Sequence, residues 1–241
     1  MPQENMLMNI NTQGLTEAEV QEITQIYVQN FEESRDGIDF RPQRYKINKD
    51  AQVFVDPFNT AIDELVGAVL YKQKVRGCWE EGNKIPLCSS FDAVEGVDGD
   101  GNRRKCASCP QNQWGSGKKG KGKACKEMRR VFLLTKDNAL PIQISFPPTS
   151  ISPIDNFFSA RLTNRIPDLA KEVRFALTKQ SSDGFDFAVV VLKNGKDFEP
   201  KEILDLNRLR NKFVDGWKHI AIDDDEYMQG AEEAGGDNEP Y

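Results

Sequence analysis

The sequence predicts an α+β fold, mainly β with flanking helices, and three observations carry that reading. Several short segments alternate apolar and polar residues, as half-buried strands do. Apolar residues recur at helical spacing in three other segments. Between the strand segments lies a stretch, residues 92–127, rich in Gly, Lys and Cys and without any apolar period, which reads as a long insertion that a core cannot order by itself.

In chain order, Thr16 with Glu19 makes a capping box. Val20, Ile23, Tyr27 and Phe31 follow at helical spacing, so a helix is expected near 16–31. Residues 44–49 and 52–55 read as short strands. Residues 64–80 read as a long one, with Val66, Ala68, Leu70, Val75, Gly77 and Trp79 set against Lys72, Lys74 and Arg76. A further strand is expected within 84–91. After the insertion, strands are expected from Met128 and over 140–146, with Asp137-Asn138 at the turn. Ser152-Pro153 with Asp155 reads as a helix start, its apolar face Ile154, Phe157, Phe158 and Leu162. Residues 173–178 and 185–192 read as a hairpin closed by Ser181-Ser-Asp-Gly. Pro200 opens a last helix with Ile203, Leu206, Leu209, Phe213 and Trp217 inward. This order is compatible with a five-stranded Greek-key barrel of the OB type carrying the insertion. It divides the chain into an arm and helix (1–40), a domain (41–222) with its insertion at 88–125, and an acidic tail (223–241).

Charge is distributed unevenly. The net charge is −6, but Asp223, Asp224, Asp225, Glu226, Glu232, Glu233, Asp237 and Glu239 stand together without a Lys or Arg. Setting those eight aside leaves about +2. Composition predicts that this tail is disordered. Between Gly101 and Arg130 ten bases face a single acid, Glu127. No apolar run approaches the roughly 18 residues a membrane helix needs, and the N-terminal residues lack the pattern of a signal peptide. The expectation is a soluble, cytoplasmic protein.

Five cysteines in such a chain argue against a disulfide framework and for metal or free thiols. Cys106-Ala-Ser-Cys109 is a C-x-x-C knuckle, which can grip one tetrahedral ion from a single turn. Cys88 precedes it and Cys125 follows. Four soft ligands would close a structural zinc site with no open position for catalysis and would staple the insertion. Nearby lysines would lower the thiol pKa values. A set of reduced, unliganded thiols is the alternative. Cys78, between Gly77 and Trp79, reads as a core residue.

Two other motifs are incomplete. Gly115, Gly120 and Lys121 imitate a phosphate loop, but Gly122 stands where Ser or Thr should hold magnesium. Asp98, Asp100 and Asn102 imitate a calcium loop, but Arg103 and Cys109 replace the required Gly and Glu. His219 is the single histidine, so a His-based nucleophile pair has one candidate only; the expectation is that the chain is not an enzyme.

Aromatics beside bases are the remaining signal. Stacking platforms in a positive groove hold single-stranded nucleic acid. The candidates are Lys72, Lys74, Arg76, Trp79, Arg104, Lys105, Trp114, Lys118, Lys119, Lys121, Lys123, Arg129, Arg130 and Phe132. The stretches Pro86-Leu-Cys88-Ser-Ser, Lys105-Cys-Ala-Ser-Cys-Pro-Gln-Asn-Gln-Trp-Gly-Ser, Gly120-Lys-Gly-Lys-Ala-Cys-Lys, Arg129-Arg130 and Phe146-Pro-Pro-Thr-Ser150 resemble a family of phage and mobile-element proteins over roughly residues 40–195. The resemblance implies a single-stranded-DNA-binding protein of replication or recombination, and covers the four cysteines, Trp114 and the basic loop but not Cys78. The tail resembles those by which such proteins recruit partner enzymes, and marks Asp223, Asp224, Asp225, Glu226 and Tyr241 as partner-binding candidates. A zinc-containing protein-interaction adaptor in transcription or replication is the alternative.

Overall fold

The longest alternating segment becomes the strand that organises the sheet. The structure, a computed structural model, describes residues 13–36, 41–80, 82–182, 185–223 and 226. Its elements in order are α1 (Glu17–Asp36), β1 (Gln43–Asn48), β2 (Val53–Val55), β3 (Ala61–Ile62), β4 (Glu64–Cys78), β5 (Cys88–Ser90), β6 (Glu95–Asp98), β7 (Arg103–Lys105), β8 (Cys125–Thr135), β9 (Ile142–Phe146), α2 (Ile151–Thr163), β10 (Lys171–Ser182), β11 (Phe185–Asp197) and α3 (Pro200–Trp217). The mainly β, α+β class is therefore as expected. Among the described residues no helix is long and apolar enough to cross a membrane.

β8 runs antiparallel along most of one edge of β4, from Gly67↔Thr135 to Cys78↔Cys125, with a bulge between Val69 and Tyr71. The opposite edge of β4 is shared. β10 pairs with its first residues, Glu64 to Gly67, and β5 with its last, Arg76 to Cys78. The sheet forks there: β10–β11 form one arm and β5–β6–β7 the other. In the gap, the Leu70 carbonyl accepts from Arg210 Nε at 3.0 Å, and Gln73 Nε2 donates to the Phe91 carbonyl at 2.7 Å. Beyond β8 lie β9, then β1, then β2 and β3, with β1 parallel to β9. The order is an open path and not the expected five-stranded ring. A strand of 15 residues accommodates two separate partners on one edge, and the parallel β1–β9 pair carries the sheet outward.

The helices cover opposite faces. Ile154 and Phe158 of α2 join Val131, Ile144, Phe146 and Phe175 in the larger core. Leu206, Val214 and Trp217 of α3 pack on Ala68, Leu70 and Phe132, and the Phe132 and Trp217 rings stack at 4.9 Å. Burying each such side chain contributes about 1.5–3 kcal/mol. The expected capping box at α1 is formed: Thr16 N–H donates to Glu19 Oε2 at 2.7 Å and Glu19 N–H to Thr16 Oγ1 at 3.3 Å. α3 opens at Pro200 as expected, and Glu199 with Glu202 makes a further capping box there, beyond what was expected from the sequence. The side chains of Tyr27 and Phe31 lie outside the described residues.

α2 departs from expectation in two ways. Its N-cap position is Ser150, not Ser152, and the Ser150 side chain makes no cap bond; Ser150 Oγ instead accepts from the β11 edge at Val190 N–H, 3.1 Å. Leu162 is 80% exposed while Arg161 is 2% exposed. Arg161 donates through its terminal nitrogens to Asn194 Oδ1 at 2.7 Å and to the Pro167 and Asp168 carbonyls at 2.9 and 3.2 Å, which offsets part of the cost of burying the guanidinium, while its Nε is buried without a hydrogen-bond partner.

The insertion is more ordered than its composition predicts. β6 and β7 form a short hairpin. The Asp98 carboxylate accepts from Asp100 and Asn102 N–H at 3.2 and 2.9 Å, so the calcium-like spacing serves as an Asx-type turn. The phosphate-loop imitation folds on itself: Gly115 and Gly117 N–H donate to the Gly122 carbonyl at 2.8 and 3.2 Å. A Cβ at Gly117 would lie 2.0 Å from the Lys121 carbonyl oxygen, which is why glycine is required there.

Candidate functional site

Three cysteines form one row across the sheet. Cys78, at the end of β4, stands directly opposite Cys88 of β5 on one side and Cys125 of β8 on the other. Residues directly opposite project to the same face. Gly96 lies on that face of the next strand. A Cβ there would sit 2.8 Å from Cys88 Sγ and 3.7 Å from Cys106 Sγ, so the Cys106 thiol reaches over the glycine toward the row. The knuckle turn is held by Cys106 N–H donating to the Val94 carbonyl at 2.8 Å and Cys109 N–H donating to the Cys106 carbonyl at 3.3 Å. All five cysteines line one cavity of about 890 Å³, with Arg76, Arg104 and Trp79 also on its walls.

Cys78 is buried, as a core residue should be, but it belongs to this cavity rather than to a separate core. The register of β4 against β5 and β8 puts it there, and register is a long-range property that a single strand's sequence does not contain. As the side chains stand, no three His, Cys, Asp or Glu among the described residues converge as metal ligands. The donor set suits a soft metal chemically.

The three thiols of the row are not activated in the way the neighbouring bases suggest. Burial pushes Cys78 and Cys88 up and Cys125 up to about 12. The opposing pull comes from Lys126, Arg104 and Arg76 respectively. Desolvation is the larger effect because the row lies against the sheet.

A chain of charged hydrogen bonds ties the knuckle to α2. Asn112 Nδ2 donates to the Cys106 carbonyl at 2.8 Å, and its Oδ1 accepts from Arg76. Arg76 pairs with Glu127. Arg129 donates to the other Glu127 oxygen at 2.6 Å and, in bidentate fashion, to Asp155 at 2.8 and 2.6 Å. That interaction holds the Asp155 carboxyl below its ordinary pKa.

The structure separates the nucleic-acid candidates. Arg129 is 6% exposed and Arg130 and Phe132 are fully buried, so these three are core groups and leave the candidate surface. Lys72 is paired with Asp168 and lies 4.6 Å over the Phe158 ring. Arg104 pairs with Asp98 at 2.5 Å. Trp79 folds over Gly77, where a Cβ would collide with its ring, and packs against Val75 and Met128. Lys74, Lys105, Trp114, Lys118 and Lys121 are exposed and Lys123 is half-buried. The side chain of Lys119 lies outside the described residues. His219 is exposed, edge-on to Phe91.

The start of the acidic stretch belongs to the fold. Asp223 Oδ1 accepts from Arg44 at 2.6 Å. Glu226 is 5% exposed and accepts from Arg130 at 3.1 and 2.6 Å and from Ser145 Oγ at 2.5 Å. Neither is a loose recruiting acid, because the sheet presents them with buried or half-buried arginines. Asp224, Asp225 and Tyr241 lie outside the described residues. Comparison with protein-family models, curated proteins and solved structures returned no match for this chain.

Proposed function

We propose that the cysteine cavity holds a structural zinc through Cys88, Cys106, Cys109 and Cys125, and that the loop it fastens contacts single-stranded DNA. The observation that carries the reading is the gathering of these thiols around one cavity, with exposed Trp114 and exposed Lys105, Lys118 and Lys121 in and beside the loop that carries Cys106 and Cys109. Zinc would fix the loop's backbone, since four thiolates close a tetrahedral site. The indole would then stack on a base while the lysines meet phosphates without reading sequence. The resemblance to phage and mobile-element proteins supports a role in replication or recombination. Residues from 227 onward are the proposed recruiting segment, and the reading needs no closed barrel.

The test is a titration of labelled poly-dT at several salt concentrations, alongside elemental analysis of the purified protein. About one zinc per chain and an affinity that falls steeply with salt are expected. Absence of strand binding at low salt would end the DNA reading.

One feature favours the adaptor reading instead. Ile85 is 80% exposed and Leu87 49%, both lining the same cavity, and Val94, 67% exposed, meets the knuckle through its carbonyl; apolar surface around a fastened loop suits a protein partner. Failure to bind DNA with zinc present would leave this reading in place.

A further inference from the structure

We infer that Cys78 is the resolving thiol of the cysteine centre: when a neighbouring cysteine is oxidised by a peroxide, Cys78 closes a disulfide with it across the sheet. The inference rests on the zinc reading for its consequence, loss of the metal, but its chemistry stands on the register alone. Four soft ligands complete a zinc site, and this cavity holds five thiols. The surplus thiol is in the middle of the row, directly opposite both Cys88 and Cys125. Directly opposite residues of antiparallel strands have Cα atoms about 4.5–5.5 Å apart, inside the range of about 4.4–6.8 Å that a disulfide accepts.

Exposure divides the roles. Cys88 and Cys125 are half-buried, whereas Cys78 is buried. A peroxide entering the cavity therefore meets the flanking thiols first. The Cys88 or Cys125 sulfur attacks one peroxide oxygen, the O–O bond breaks, and a sulfenic acid results, the thiol's own proton passing to the departing hydroxide. The Cys78 sulfur then attacks the sulfenic sulfur, the S–O bond breaks, and a second hydroxide leaves. The Cys78 proton converts that hydroxide to water. The peroxide is reduced by two electrons, one drawn from each sulfur. Either bond removes one ligand from the zinc set, and a thiol reductant restores it. Without Cys78 the sulfenic acid has no opposite thiol in its row and is open to irreversible over-oxidation.

The experiment treats full-length protein with about one equivalent of hydrogen peroxide, maps cysteine products by mass spectrometry, and follows zinc before oxidation, after it and after thiol reductant. The wild-type chain should yield Cys78–Cys125 or Cys78–Cys88, release most of its zinc, and regain it on reduction. C78S should bind zinc before oxidation as the parent does, then accumulate sulfinic acid at Cys88 or Cys125 and recover under half of its metal. A wild-type disulfide that excludes Cys78, or full recovery of C78S after reduction, would overturn the inference. Zinc loss from C78S before any oxidant would also overturn it, by making Cys78 a ligand. A parent protein isolated without zinc would defeat the zinc reading instead, and the disulfide map would still decide the role of Cys78.

Discussion

Arg130 and Glu226, 96 residues apart in sequence, form an ion pair in which neither side chain is exposed. Arg130 also donates to the Ile220 carbonyl at 2.9 Å, so one guanidinium fastens the segment after α3 to the sheet. Removing one partner of such a pair leaves an uncompensated buried charge, at a cost of about 3–5 kcal/mol. Truncation after residue 222, or Glu226→Ala, should lower unfolding free energy by that order in urea denaturation. Truncation after residue 226 keeps the pair and should retain most of the stability. Equal stability in all three would show that the pair is not a fastening.

Gly96 makes the second prediction. Its missing Cβ leaves the space into which Cys88 and Cys106 project. Gly96→Ala should weaken zinc retention on the order of tenfold, as supporting-shell changes do, in competition with a chromophoric chelator. Gly99→Ala, where a Cβ meets nothing within 4 Å, is the control and should leave retention unchanged. Identical retention in both variants would remove Gly96 from the site.

The sequence discloses those parts of the fold that depend on local pattern. β4 is legible because Val75 and Gly77 alternate with Lys72, Lys74 and Arg76, and α3 because Leu206, Phe213 and Trp217 share one face. Arg129 and Arg130 are misread because a pair of arginines beside a basic stretch looks solvated. Their partners, Asp155 and Glu226, lie 26 and 96 residues away, and no local signal joins them. The cysteine knuckle is legible from spacing, yet Cys78 is not, since its neighbours come from the register of three strands. Arg44 and Ser145, which complete the Glu226 environment, carry no motif at all. The turn at Asp98 does carry a signal, Asp-Gly, but the acid spacing beside it imitates a calcium loop.

Asn112 joins the knuckle to the sheet and gives a third prediction. Asn112→Ala deletes the acceptor of Arg76 and the donor to the Cys106 carbonyl. Hydrogen bonds to charged groups contribute about 1.5–3 kcal/mol. Amide hydrogen exchange over residues 106–113 should accelerate accordingly, while β4 and β8 keep their protection. Unchanged exchange in the knuckle would show that the relay does not hold it.

Asp155 predicts a dependence on pH. Its carboxyl is held low chiefly by the Arg129 hydrogen bond. A depressed folded-state pKa contributes stability above the unfolded value, about 3.9 for Asp, and loses it as pH falls through the folded value. Asp155→Asn should therefore be less stable than the parent at pH 7. The two urea midpoints should converge as the pH is taken below about 3.9. A gap that stays constant with pH would assign the difference to packing rather than to charge.

The loop supplies the last prediction, and here charge and stacking separate cleanly. Trp114 is 56% exposed in a segment whose backbone closes on itself between Gly115 and Gly122. Its ring is therefore presented rather than packed, and ordering it costs little when a base arrives. Trp114→Ala should weaken poly-dT binding by about 1–3 kcal/mol while leaving the salt dependence alone. If the proposed DNA reading holds, Lys118, Lys121 and Lys123 should act through charge. Replacing the three with Ala should make the slope of log affinity against log salt shallower by about 0.7 for each phosphate no longer neutralised, or about 2 in all. Arg129 and Arg130 are excluded from that set by burial, so variants there should disturb stability and not the slope. If the tryptophan variant instead changed the slope, or the lysine variant left it untouched, the loop would not be the surface that holds DNA.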